Sequence, residues 1–113
     1  MCNKRKARVM ISQPMHYKTD DEIERTKEEA TKYLESKGYD VVNSYFTDRW
    51  HSDESLKERG VVNIDVCFLA KSLDKMSMCD AVYFCKGWHE ARGCCIEHEV
   101  AEKYGLEIIY ERG

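Results

Sequence analysis

The stretch CDAVYFCKGWHEARGCCIEHEVA, Cys79 to Ala101, runs from a continuous apolar segment through a glycine-bearing polar one into residues at helical spacing. Ala81 to Cys85 predicts a buried strand, Lys86 to Gly93 a loop, and Cys94 to Tyr104 a helix that Gly105 stops. Leu106 to Tyr110 predicts a further strand behind it. Towards the N-terminus a helical pattern starts at Ile64 and continues through Val66, Cys67, Ala70, Leu73 and Ser77. The chain opens on another apolar run, Ala7 to Ser12, read as a strand. Thr19 to Glu22 spells a capping box, in which the Thr19 hydroxyl serves the Glu22 amide and the Glu22 carboxylate reaches back. Ile23, Thr26, Lys27, Ala30 and Leu34 follow at helical spacing, and Gly38 stands where the helix should stop. Asp40 to Tyr45 predicts the strand that completes a βαβ unit.

Strands alternating with helices imply one α/β domain over residues 1–113, a parallel sheet with helices on both faces. Right-handed crossovers then give the strand order 2-1-3-4, with the first strand central. Thr47 to Gly60 breaks the alternation. It is rich in charged side chains, lacks an apolar period, and is expected to be a mobile surface excursion that closes over a ligand through Trp50 or His51.

Composition narrows the function classes. Hydrophobic residues make up 42% of the chain and charged ones 35%, which is too apolar for general disorder. No window supplies the ~18 apolar residues of a membrane span, and Val9 to Ile11 is too short for a signal peptide's apolar core. The expected address is cytoplasmic. The net charge is −3 with lysines interleaved among acids, so a nucleic-acid polymer or a membrane surface is not the expected partner. Six cysteines occur without a CxxC pair, three of them inside apolar runs, so reduced thiols are expected and no metal or other cofactor. Neither G-x-G-x-x-G nor the P-loop motif is present, which argues against kinase and dinucleotide-dehydrogenase chemistry.

In an open parallel sheet the ligand crevice lies beyond the carboxyl ends of the strands. That nominates Ser12, Gln13, Pro14 and Met15 after the first strand, and Gly87, Trp88, Arg92 and Gly93 after the third. Gly93 permits close backbone approach, Arg92 offers a charge partner for a phosphate, and Trp88 is a candidate to stack on a base. At about 100° per residue, Ile96, Val100, Ala101 and Tyr104 share an apolar stripe. Glu97 falls inside this stripe, whereas His98, Glu99, Glu102 and Lys103 point away from it. Burial raises such a carboxyl's pKa and a first-turn helix dipole opposes the rise, which makes Glu97 the candidate nucleophile. A thiol nucleophile from Cys94 or Cys95 near His98 is disfavoured, since these residues share one helix.

Met10 to Met15, the T-D-D-E-I box, G-Y-D-V-V and the whole of Cys79 to Ala101 resemble small nucleoside 2-deoxyribosyltransferase-like domains. The likeness is to a branch found in bacteria and their phages, and it covers nearly the whole chain. It implies a flavodoxin-like three-layer fold. It also implies that Glu97, four residues before Ala101, attacks the anomeric carbon of a nucleoside or nucleotide. Established transferases have an acidic residue eight positions before the Asp80 position, where this chain has Ser72. Relatives close their crevice with a neighbouring chain, so the resemblance implies a homodimer or higher homo-oligomer. Two functions stay open: a hydrolase or deoxyribosyltransferase acting on the N-glycosidic bond, and a non-catalytic protein that sequesters a nucleotide on the same fold.

Overall fold

The computed structural model describes residues 6–15, 17–42 and 52–112. Its four strands are β1 (Arg8–Ser12), β2 (Asp40–Val42), β3 (Ala81–Phe84) and β4 (Glu107–Tyr110). The helices are α1 (Asp20–Ser36), α2 (Asp53–Glu58), α3 (Ile64–Met76) and α4 (Arg92–Lys103), and a 3₁₀ turn, Trp88–Glu90, precedes α4. All strands pair in parallel, in the order β2-β1-β3-β4, which is the order expected from alternation and crossover hand.

Alternation along the central strands divides the core into two layers. Val9 and Ile11 of β1, with Ala81, Tyr83 and Cys85, pack under Ala30 and Leu34 of α1. Met10, Val82 and Phe84 point to the opposite face, where Met76 of α3 and Ala101 of α4 cover them. The fold is therefore Rossmann-like, with α1 on one face and α3 and α4 on the other.

Local signals act as expected at α1. The Thr19 hydroxyl accepts from the Glu22 amide at 3.1 Å, and the Thr19 amide donates to the Glu22 carboxylate at 3.2 Å. The Thr19 amide foremost, and then the Thr19 hydroxyl, which donates to the same carboxylate oxygen at 3.1 Å, hold the Glu22 carboxyl below its ordinary value. Gly38 follows the helix at φ +91°, a conformation that costs most other residues energy.

Other expectations are corrected. The charged excursion is not structureless throughout: residues 53–58 form α2, because the Ser52 hydroxyl caps the Ser55 amide and Leu56 is buried. Trp50 and His51, with residues 43–45 of the expected second strand, lie outside the described residues. On α3 the buried residue is Met76, while Val66, Ala70 and Ser77 are exposed. The helix packs by its Leu69, Leu73 and Met76 side, one position round from the expected stripe.

The start of α4 moves most. It begins at Arg92 and not at Cys94, since extended Ala91 caps it and the Cys95 amide donates to the Ala91 carbonyl at 2.9 Å. Glu97 is thus in the second turn, past the strongest field of the dipole. Tyr104 is 78% exposed and leaves the stripe, and His98 turns inward. Its ring stacks on Trp88 with centroids 4.1 Å apart and its Nε2 lies 2.6 Å from the Tyr110 hydroxyl. A residue that 3.6-fold periodicity places outside is drawn in by an aromatic pocket that only the neighbouring strand and turn create.

Candidate functional site

A crevice of about 710 Å³ opens beyond the carboxyl ends of β1 and β3. This is where the helices switch from one face of the sheet to the other. Its wall on the β1 side is Ser12, Gln13, Pro14 and Met15. The α4 side supplies Ala91, Arg92, Gly93, Cys94, Ile96 and Glu97. The facing wall comes from α3: Asn63, Asp65, Val66, Phe68, Leu69 and Ser72. A smaller groove of about 410 Å³ on the α1 face holds Lys18, Tyr33, Tyr83 and Cys85 and shares Pro14, but it does not reach Glu97.

Glu97 is the buried carboxylate among the described residues, 8% exposed. β1 delivers its partner: Ser12, the last residue of the strand, points to the α4 face and its hydroxyl donates to Glu97 Oε1 at 2.5 Å. The Ser72 hydroxyl of α3 lines the same crevice, and its pull on the Glu97 carboxyl is weaker than that of Ser12. Burial raises the Glu97 carboxyl above its ordinary value, and the two hydroxyls pull it part of the way back. The carboxylate is desolvated, held and aimed, which are the conditions for a nucleophile kept from water.

This environment has a sign that can be measured. A carboxyl whose pKa is raised by folding binds its proton more tightly in the native state than in the unfolded chain. Folding therefore takes up protons between the ordinary value of 4.5 and the raised one. The stability contributed by Glu97 is fully present below 4.5 and is lost as pH rises through the folded-state value. Glu97→Gln is expected to remove that loss and to be more stable than the parent at neutral pH. Urea midpoints between about pH 4 and about pH 8 for the two proteins test it; parallel profiles would contradict it.

The remaining groups have subsidiary parts. Burial pushes the Cys94 thiol up to about 11, with the Ser12 hydroxyl pulling the other way, which disfavours the thiolate that a nucleophile needs. Arg92 and Asp65 pair across the mouth at 3.3 Å, both largely exposed, an ion pair worth little in stability. Gln13 Oε1 is buried and accepts no hydrogen bond from the described residues, a lining acceptor unmatched by protein. Among the described residues no group of three or more His, Cys, Asp or Glu side chains is arranged to hold a metal ion. No helix among them is long and apolar enough to cross a membrane.

Seven of the nine sequence-nominated residues therefore meet at one crevice: Ser12, Gln13, Pro14, Met15, Arg92, Gly93 and Glu97. Gly87 and Trp88 do not line it. Gly87 holds a φ of +83° that few other residues adopt, with a Cβ position 3.6 Å from Pro14. Trp88 spends its ring faces on His98, Phe84 and Tyr110. The sequence nominates no residue of the α3 wall as a site residue, although it singles out Ser72 as the position where established transferases are acidic. The signal of that wall was a polar, half-buried Ser72 between Leu69 and Leu73, which periodicity treats as an interruption of the core.

No curated protein and no solved structure matches the chain. A family profile described as a domain of unknown function, DUF4406, spans residues 7–110, from the start of β1 to the end of β4 and across every residue of the crevice. On that coverage the chain belongs to the DUF4406 family.

Proposed function

We propose that the crevice binds a nucleoside or nucleotide and that Glu97 cleaves its N-glycosidic bond. The observation that carries this reading is a buried carboxylate, fixed by Ser12, in the wall of a nucleotide-sized crevice at the strand ends. The resemblance of Cys79 to Ala101 to nucleoside 2-deoxyribosyltransferase-like domains supports it independently of the geometry. Glu97 forms a bond from a carboxylate oxygen to the anomeric carbon while the C–N bond breaks and its electron pair leaves with the base. Water then opens the glycosyl ester in a hydrolase, and a second base does so in a transferase. Gln13 offers its unmatched acceptor to a donor on the base, and Arg92 with the first turn of α4 faces a phosphate.

Ser72, where established transferases are acidic, favours a second reading in which the same crevice only sequesters a nucleotide. Incubation with a panel of nucleosides and their monophosphates, followed by chromatography for free base, separates the two. Base release supports the first reading; binding without release supports the second. The proposed setting is cytoplasmic, with the protein as a homodimer whose partner closes the crevice mouth, where Met15, Val66 and Ile96 are exposed. Sedimentation at micromolar concentration should give twice the monomer mass, and a monomer alone would remove this part.

A further inference from the structure

We infer that the groove on the α1 face is a second small-molecule site, which takes a nucleoside monophosphate with its phosphate on Lys18, Lys86 and Arg112 and its base against Tyr33. The inference does not rest on the reading of Glu97, since the groove lies on the other face of the sheet and does not reach that residue.

The observation that points to a ligand is Tyr83. This residue of β3 is 5% exposed and packs in the core with Ala30 and Leu34 of α1. Its hydroxyl nevertheless makes no hydrogen bond with any described residue. Buried tyrosine hydroxyls ordinarily find a partner, and phenylalanine would fill the same layer without needing one. Tyr83 lines the groove, so a group bound there supplies the missing acceptor. Burial foremost pushes the Tyr83 phenol up to about 12, which favours the protonated hydroxyl, a donor.

The charges around that hydroxyl come from three strand ends. Lys18 lies between β1 and α1, Lys86 follows β3 and Arg112 follows β4. None of these three forms an ion pair among the described residues, although the chain carries more acidic than basic side chains. Backbone bonds hold two of the ends together: the Glu111 amide donates to the Phe84 carbonyl at 2.9 Å, and the Lys86 amide donates to Glu111 Oε1 at 2.9 Å. The terminal oxygens of a phosphate match these cations and the Tyr83 hydroxyl better than the two oxygens of a carboxylate do. Glu29 of α1 and the free positions of Glu111 suit donors elsewhere on the ligand, the hydroxyls of a sugar or the amino group of a base. Tyr33 is 40% exposed, with its ring centroid 6.0 Å from that of Tyr83, and gives a flat ring an aromatic wall. The volume of about 410 Å³ falls inside the ~300–1,000 Å³ common for small-molecule pockets.

The test reads the two cavities side by side. Nitrogen-15 labelled protein is titrated by NMR with the monophosphates of adenosine, guanosine, cytidine and uridine, with the same nucleosides, and with inorganic phosphate. Backbone signals of Ala30, Tyr33 and Lys86 report on the groove, and those of Gly93, Cys94 and Glu97 on the crevice. At least one monophosphate should move the groove signals saturably, its nucleoside and inorganic phosphate each binding roughly 10-fold or more weakly. Tyr83→Phe should weaken binding in the groove roughly 3- to 10-fold at an unchanged urea midpoint, since no bond within the protein is lost. Lys86→Ala combined with Arg112→Ala should weaken it by more than roughly 10-fold, and both variants should leave the response of the crevice as it was. Groove signals unmoved by all four monophosphates to about 10 mM would overturn the inference. So would inorganic phosphate binding as tightly as any monophosphate, or Tyr83→Phe binding like the parent. Movement of the crevice signals alone supports the nucleotide reading of the crevice and overturns this one. Movement of the groove signals alone upholds this one and removes the other.

Discussion

Glu97→Gln should reduce base release by several orders of magnitude while changing nucleotide affinity little. Glutamine keeps the volume of the side chain and can still meet the Ser12 hydroxyl that now lies 2.5 Å from Oε1, so the crevice keeps its shape. On the proposed mechanism, what disappears is the anionic oxygen that would bond to the anomeric carbon. A loss of ~4 kcal/mol in transition-state stabilisation is about a thousandfold in rate, and removal of a nucleophile costs at least that. A carboxylate that served only to orient a sugar hydroxyl would behave otherwise. Its loss would weaken binding by ~1–3 kcal/mol, the range for a hydrogen bond to a charged group or a partner left unpaired, with no turnover to lose. Kinetics of base release beside calorimetric affinity for the same nucleotide distinguish the two. Unchanged rate and unchanged affinity together would make Glu97 structural and send the search to other residues at the strand ends. The expected gain in stability of the same variant at neutral pH strengthens the reading, since a residue retained although it destabilises the fold is retained for its chemistry.

Phe84→Ala should have the largest effect on stability. Phe84 is fully buried at the end of β3, and its ring centroid lies 5.0 Å from that of His98, 5.4 Å from Trp88 and 6.3 Å from Tyr110. Truncation loses the transfer free energy of the ring and leaves a cavity that three surrounding rings cannot all collapse into, at a cost of ~3–5 kcal/mol. A domain of this size has about 5–15 kcal/mol in total, so roughly a fifth or more of the stability is at stake. The cluster also seats α4 through His98, so the position of Glu97 one residue earlier should loosen with it. Tyr104→Ala on the same helix is the control: its side chain is 78% exposed. Its removal should stay within about 0.5 kcal/mol. Urea midpoints at unchanged slope measure both, and a cost below ~1 kcal/mol for Phe84→Ala would contradict the packing argument.

The strands and helices themselves were legible because their signals are local. The Thr19 to Glu22 box, the glycine stop at Gly38 and the apolar run Ala81 to Cys85 each act within a few residues, where steric and hydrogen-bonding preferences do not depend on the rest of the fold. Strand order followed as well, because alternating strands and helices with right-handed crossovers leave few arrangements. The start of α4 was misplaced because its cap, Ala91, has no side-chain hydrogen bond to advertise it. The helix α2 was missed because a single buried Leu56 is too little for a period to show.

The site divides along the same line. That Glu97 sits among apolar neighbours and that Ser12 ends a strand could both be read along the chain, since helical and strand periods fix how side chains are distributed about their own axes. A period does not say which side of the axis meets the sheet, and so it turned His98 outward and Tyr104 inward. Packing of α4 against β3 and β4 reversed both. Likewise the bond from Ser12 to Glu97 spans 85 residues and joins a strand to a helix. Such contacts depend on distances between layers, to within a few tenths of an ångström, and no pattern within one segment contains them. The chain's local chemistry therefore settled the four strands, the three longer helices and their order. The stacking of those elements settled that the Ser12 hydroxyl faces the carboxyl and how far that carboxyl is removed from water.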